Sequence, residues 1–224
     1  MSYDFDWGMV AQFLPKFSTA VWVTIKVYLM AQVLSLTTAF LLSILGNSGA
    51  GGRVAERFLS GYSWMFRGLP ELIVLLFCFL GLPQIGLRLS SIEAAVIGLA
   101  LVASAYEYEI LRGAFTAIPA QQYEAARALG FTVPKMYRRL ILPQVIRVAT
   151  PSLLTFACTS LKRTSVASAV AVVEIMGLTK RLIDALQKPF ELMLIAMLLY
   201  AALSSTIMLL QFFARRHLEA YSRT

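Results

Sequence analysis

The chain has 224 residues, of which 58% are hydrophobic and only 14% charged, whereas soluble domains carry about 25% charged residues. This composition leaves too little polar surface to cover a core of this size in water, and it predicts an integral membrane protein. The net charge of +8 does not indicate nucleic-acid binding, because the Lys and Arg residues fall between long apolar runs. Two cysteines within apolar runs and one histidine exclude a zinc site at the usual ligand spacing.

The chain begins with the acidic sequence Met-Ser-Tyr-Asp-Phe-Asp-Trp, so we expect no cleavable signal peptide before the first apolar run. Five apolar runs follow, and roughly 20 apolar residues suffice to cross a bilayer. The second run, residues 69–82, reaches that length only if residues 58–66 are added across a kink at Pro70. The sequence therefore predicts an all-α membrane protein with about five transmembrane helices, at residues 17–45, 58–82, 92–111, 144–173 and 192–213.

Residues 46–52 are Gly-rich and superficially resemble a phosphate-binding loop. That loop requires Gly-Lys followed by Ser or Thr, because the Lys reaches the phosphates and the hydroxyl binds magnesium. Here Arg53 and Val54 occupy those places. The sequence therefore predicts an ordinary turn, in a chain that does not itself hydrolyse ATP.

The loop charges predict an orientation in the membrane. Excess Lys and Arg lie in residues 46–67, in residues 112–147 and in the tail after the last run. The alternate segments, which are the acidic N-terminus, residues 81–88 and the mixed stretch 174–191, have less excess positive charge. Since cytoplasmic loops carry the excess of Lys and Arg, we expect the N-terminus outside and the C-terminus inside. An odd number of crossings agrees with this orientation.

The longest polar interval between predicted spans lies at about residues 114–143, and we expect it to be cytoplasmic. Pro119 suits the first turn of a helix, residues 121–129 are good helix formers, and Gly130 suits a left-handed cap. Small side chains on such a helix let the backbone of another protein approach closely. By itself the pattern fits an ordinary amphipathic connector equally well. The residues that share the small face by helical spacing are Gln121, Glu124, Ala125 and Ala128.

A motif of fixed spacing occupies this interval: Glu124-Ala125-Ala126, then Gly130, then Leu140-Ile141-Leu142-Pro143. It resembles the EAA motif of ABC importer permeases, in which E-A-A is followed by G and then by I-x-L-P at the same spacing. The only departure is Leu140, where Ile is usual. The resemblance implies a coupling helix that seats in a groove of an ATPase subunit, through Gln121, Glu124, Ala125, Ala126, Ala128 and Gly130.

Three further stretches resemble the polar amino-acid permease family, of the histidine, arginine, glutamine and opine type: Arg67-Gly68-Leu69-Pro70-Glu71, Glu109-Ile110-Leu111-Arg112-Gly113-Ala114, and Leu161-Lys162 with Thr164-Ser165. The resemblance extends over residues 21–216 and implies a single permease domain, residues 1–224, with a fold like that of type I ABC importers. It implies a non-enzymatic subunit without a cofactor of its own, in a bacterial inner membrane.

The resemblance also implies the partners. They are ATPase subunits that bind ATP and Mg, a second permease subunit that is identical or paralogous, and an extracytoplasmic substrate-binding protein. The expected cargo is a polar amino acid or a related compound. Three alternatives remain open on the sequence: an ABC permease for another small solute, an ion-coupled carrier, and a membrane scaffold without transport activity.

Ionisable residues within the predicted spans are costly and usually face protein or water. Glu107, Lys162 and Arg163 are candidates for the substrate path, and equally for acid–base pairs between the third and fourth spans. Glu109 and Arg112 lie three residues apart on one helix, which favours a structural pair. Arg163 departs from the acidic or small polar residue of many relatives. We therefore expect a substrate with an additional carboxylate, such as an acidic amino acid or an opine.

Overall fold

In a computed structural model, which describes residues 7–47 and 52–221, the regular structure is helical and the described part contains no strand. The acidic N-terminal residues and most of the Gly-rich turn lie outside the described residues, and so do the predictions made for them. Nine α-helices occur within the described ranges: α1 Trp7–Asn47, α2 Gly52–Gly68, α3 Glu71–Leu76, α4 Ser91–Thr116, α5 Ala120–Ala128, α6 Val133–Met136, α7 Leu142–Arg163, α8 Ile175–Leu186 and α9 Pro189–Tyr221.

Four stretches of helix are long and apolar enough to cross a membrane, and they contain α1, α4, α6 with α7, and α9. A fifth crossing results if α2 and the helical stretch Glu71–Ile85 are counted together, although a bend of 101° separates them. The predicted all-α fold with about five spans is therefore confirmed. The gentle kink expected at Pro70 is instead a sharp elbow. Pro70 has extended backbone (φ −60°, ψ 126°), so α2 ends and α3 starts anew after it.

The fourth span differs from the prediction at its N-terminal end, because helix continues without a break from Val133 to Val170. Pro134 lies in the first turn of α6, where a missing N–H leaves no helical hydrogen bond unmade. A π-helical turn, Tyr137–Ile141, joins α6 to α7, and Pro143 follows directly in the first turn of α7. The polar residues 133–143, predicted as a cytoplasmic connector, thus form the first turns of this span.

The central helix of the bundle is α4, and most of its side chains are buried. It starts at a capping box, in which Ser90 accepts from the Glu93 backbone N–H and Glu93 accepts from the Ser90 backbone N–H. Small residues on α4 let other helices approach closely. At Gly98, a β-carbon would stand only 3.1 Å from the Cα of Leu75 on α3. The elbow between α2 and α3 is thereby held directly against the central helix.

The stretch between the fourth and fifth spans contains the amphipathic helix α8. In the sequence, this stretch is distinguished only by its mixture of acidic and basic residues. Glu174 caps it: the fully buried carboxylate accepts the backbone N–H groups of Met176 and Gly177 and the hydroxyl of Tyr200 on α9. Burial raises the pKa of Glu174 above its usual range. The adjacent Ile175 N–H donates to Thr24 of α1, so these bonds fasten α8 to α1 and α9.

Candidate functional site

A narrow cleft lies between α1, α3, α4 and α7, and it leaves only about 10 Å³ for the centre of a water-sized molecule. Polar side chains line it although all four helices belong to apolar spans, which is typical of a solute path rather than of a packed core. The lining residues are Tyr28, Ala31, Gln32, Ser35, Glu71, Leu99, Ala103, Ser160, Arg163 and Thr164.

Arg163, the last residue of α7, forms an ion pair with Glu71 of α3 in this cleft, at 2.8 Å between Nε and Oε2. Its guanidinium carbon lies 5.3 Å and 5.7 Å from the ring centres of Tyr106 and Phe156, within the range of cation–π attraction. The elbow after Pro70 places Glu71 in the first turn of α3. The pair keeps both charges within the bundle and leaves the terminal nitrogens of Arg163 without a hydrogen bond among the described residues.

Glu107 of α4 is fully buried and lies behind Gln32 of α1. The Gln32 Nε2 donates to the Glu107 Oε1 at 2.5 Å. Among the described residues, Glu107 has no ion pair with Lys162 or Arg163, so the acid–base pair considered for it does not form. Glu107 therefore reaches the cleft through Gln32 and is not itself part of the lining.

Lys162 is exposed on the single chain and lies outside the cleft lining, unlike its neighbour Arg163. The difference follows from helix geometry, because consecutive residues point about 100° apart around the axis. Of the two adjacent cations, only Arg163 is turned inward.

Glu109 and Arg112 form an ion pair at 2.6 Å between Oε2 and Nη2 on the surface of α4. The other carboxylate oxygen of Glu109 accepts a hydrogen bond from Ser63 of α2 at 2.7 Å. The cluster joins α2 to α4 and lies outside the cleft lining.

The predicted coupling segment contains the short helix α5, which is exposed on one face. Pro119 is its N-cap rather than its first residue, and Gly130 has the expected left-handed conformation with φ +72°. Ala126 differs from the other predicted contact residues because only 2% of it is exposed and it packs in the core. Ala126 therefore fixes α5 to the bundle and cannot line a docking face. The other predicted contact residues are exposed, and they are Gln121, Glu124, Ala125, Ala128 and Gly130.

Three aromatic side chains hold α5 against the spans. Tyr137 lies with its ring centre 6.4 Å from those of Tyr123 on α5 and Phe115 on α4. Its hydroxyl donates to the carbonyl of Asn47, the last residue of α1. Burial, with a smaller contribution from Tyr137, raises the pKa of Tyr123 above its usual value. These contacts connect α5 to α1 and α4.

Three polar residues of the cleft, Glu71, Gln32 and Ser35, were not singled out by the sequence analysis. Glu71 stood in a recognised motif, but its partner lies 92 residues away in the chain. Gln32 and Ser35 interrupt the first apolar run, and polar residues within an apolar run are the signal that marks them. That signal does not show that Gln32 pairs with Glu107, because the two are 75 residues apart.

Comparison with known families defines the class. Residues 39–221 match the family described as "Binding-protein-dependent transport system inner membrane component". The match covers most of the chain, and the chain belongs to this family. It is a membrane component of a bacterial transport system, as predicted, and its place is the inner membrane.

Named relatives and solved structures narrow the class to permease subunits of ABC importers. The probable amino-acid ABC transporter permease protein PatM of Vibrio harveyi is 32% identical, over 98% of this chain and 99% of that protein. The nopaline transport system permease protein NocM of Agrobacterium fabrum is 28% identical, over 96% of this chain and 94% of that protein. This chain is likewise a permease subunit of an ABC importer.

The fold agrees with this assignment. A chain of an amino acid ABC transporter crystallised with histidines superposes with a TM-score of 0.86 at 26% identity, covering 97% of this chain and all of that one. A chain of the inward-facing MetNI methionine ABC transporter gives 0.75 at 18% identity, covering 90% of this chain and 95% of that chain, and this likeness concerns the fold alone.

Proposed function

We propose that the chain, as one permease domain over residues 1–224, imports an amino acid or opine that carries an additional carboxylate. The observation that carries this proposal is Arg163, a cation turned into a polar cleft between spans. Glu71 uses one edge of the guanidinium, and the other donors remain for a carboxylate, which arginine binds in a fixed fork geometry. The relatives named for nopaline and octopine transport support this substrate class.

The driving force comes from separate ATPase subunits that bind ATP and Mg, while this chain supplies the coupling helix and no catalytic group. The exposed face of α5, with Glu124 among small residues, supports docking in a groove of the ATPase. The N-terminus lies outside and the C-terminus in the cytoplasm, which places α5 on the ATPase side. A second permease subunit and an extracytoplasmic binding protein complete the importer.

Retention of the ATPase subunit by this chain in mild detergent tests the coupling role. Glu124→Lys reverses a charge on the exposed face of α5, and we expect it to abolish retention. Asp184→Lys is the matched control, because it reverses an exposed charge on α8 instead. Equal retention of the ATPase by both variants would contradict the role given to α5.

ATP-driven uptake by the reconstituted importer tests the substrate class. We expect Arg163→Gln to lower uptake of L-glutamate or nopaline at least tenfold relative to L-arginine, because the cation for the extra carboxylate is lost. Lys162→Gln removes the neighbouring cation and serves as the control. If Arg163→Gln keeps the wild-type preference between L-glutamate or nopaline and L-arginine, the proposal is wrong. Uptake that needs a proton gradient and no ATP would identify an ion-coupled carrier.

A further inference from the structure

Gln32 lines the same cleft as Arg163 and carries an acceptor that no residue in the described part of the chain uses. Its Nε2 donates to the Glu107 Oε1, but its own Oε1 is buried and has no hydrogen-bond partner among the described residues. The Glu107 Oε2 and the Ser160 hydroxyl are also buried without a hydrogen-bond partner among the described residues. Ser160, like Gln32, lines the cleft. A buried polar group without a partner costs free energy and requires an explanation.

In the structure the amide nitrogen of Gln32 faces Glu107. This is the orientation that an ionised carboxylate requires, because it has only acceptors. The carbonyl oxygen then points away from Glu107. Because Gln32 is part of the lining, the free group that it offers to the cleft is an acceptor and not a donor.

The charge around Gln32 favours a cation. Glu107 is fully buried and has no basic partner among the described residues, because Arg163 is paired with Glu71 and Lys162 is exposed. A buried carboxylate without a counter-ion is unfavourable. A ligand that brought N–H donors and a positive charge to Gln32 would satisfy the orphaned acceptor and compensate the charge behind it.

We propose that Gln32 Oε1 binds the α-ammonium group of the substrate and that Glu107 positions the Gln32 amide. This inference rests on the proposed function, since the ligand is then an amino compound whose additional carboxylate binds Arg163. Gln32 and Arg163 thus match the ammonium group and the additional carboxylate of one ligand. Because Oε1 is shielded from solvent, the ammonium reaches it when the bounding helices move apart, as alternating access requires.

The experiment is ATP-driven uptake by the complete importer in proteoliposomes, with labelled L-glutamate, L-arginine and nopaline as probes. Gln32→Leu removes the acceptor, and we expect KM per assembled complex to rise about tenfold to a hundredfold with little change in the maximal rate. Gln32→Glu restores an acceptor by sharing one proton with Glu107, and we expect its KM to stay within about threefold of wild type.

Gln211→Leu is the matched control. Gln211 of α9 is also hydrogen-bonded between spans, to Thr155 and Cys158 on α7, but it is not part of the cleft lining. We expect KM to change less than about twofold in this variant. Normalising uptake to the ATPase retained in each preparation removes any difference in assembly.

Glu107→Gln tests the positioning role. The variant keeps the side-chain shape but removes the charge and the fixed orientation of the Gln32 amide, so we expect an intermediate rise in KM. A merely structural role of Glu107 would instead lower the amount of assembled complex and leave KM unchanged.

Two results would overturn the inference in distinguishable ways. If wild type transports L-glutamate or nopaline and Gln32→Leu keeps the wild-type KM for it, the ammonium site is wrong while the proposed function stands. If wild type accumulates neither L-glutamate nor nopaline, the proposed function fails and the inference fails with it.

Discussion

The cleft and the helix α5 place their polar groups in opposite ways. Arg163 in the cleft and Glu107 behind its lining are held inside the bundle, each by a partner on another helix. On α5, Glu124 and its small neighbours face outward, and the only strongly buried residue is Ala126, which attaches the helix. The first site depends on long-range pairing and the second on an exposed shape.

The difference shows how one small chain can serve a solute and a protein partner. A solute must meet groups whose positions are fixed before it arrives, so the cleft residues are fixed by ion pairs and hydrogen bonds. A protein partner needs a rigid surface, and a buried alanine with aromatic anchors is enough to hold α5 in place. Substitutions at the two sites should therefore fail in different ways.

The largest effect is expected at Glu71. Glu71→Leu leaves the Arg163 guanidinium without its counter-ion within the spans, and we expect a loss of about 3 kcal/mol in stability. The double variant Glu71→Leu with Arg163→Leu removes both charges and should regain most of that loss. Thermal melting of the detergent-solubilised complex measures both. If the double variant is less stable than the single one, the pair is not the source of the effect.

Substitutions of two alanines on α5 distinguish the residue that attaches the helix to the bundle from a residue of its docking surface. Ala126→Leu overpacks the core and should cost about 2 kcal/mol in stability. Ala128→Leu is exposed and should change stability by less than about 0.5 kcal/mol, while it weakens retention of the ATPase by blocking close approach. Melting curves and pull-downs on both variants decide the matter. If Ala128→Leu lowers stability as much as Ala126→Leu, the two alanines do not have these two different roles.

A substitution at Gly130 tests whether the left-handed backbone that ends α5 requires glycine. A β-carbon there would meet no atom within 4 Å, so the cost of Gly130→Ala is the left-handed backbone alone, about 1 kcal/mol. Gly113→Ala is the control, and we expect it to raise stability where Gly130→Ala lowers it. Gly113 lies within α4, where alanine is the better helix former, and its β-carbon also meets open space. Equal melting shifts of the same sign would contradict the conformational explanation.

Lys162 gives the smallest expected effect. Because its side chain is outside the cleft lining, Lys162→Gln should change the KM for L-glutamate by less than about twofold. A shift as large as that of Arg163→Gln would mean that both cations meet the substrate, and the separation by helix geometry would be wrong.

Hydropathy was sufficient to predict the spans, since the energetic demand of the bilayer acts on every residue of a helix. Pro119, the helix-forming residues 121–129 and Gly130 predicted α5 with its left-handed end, because a short helix and its caps are determined locally. The elbow before Glu71 and the partners of Arg163 and Gln32 could not be predicted. They depend on which distant helices come together, and a single sequence does not encode such pairing in its local pattern.

The ion pair between Glu71 and Arg163 restricts the evolutionary paths open to the transporter. A single change of Arg163 to an acidic residue would place two carboxylates side by side within the spans, with no cation for either. A lineage that changed its cargo from anionic to cationic compounds would therefore have to alter both positions, or first pass through a neutral residue at one of them. Under the proposed function, cargo preference is therefore inherited as a pair of residues on different helices.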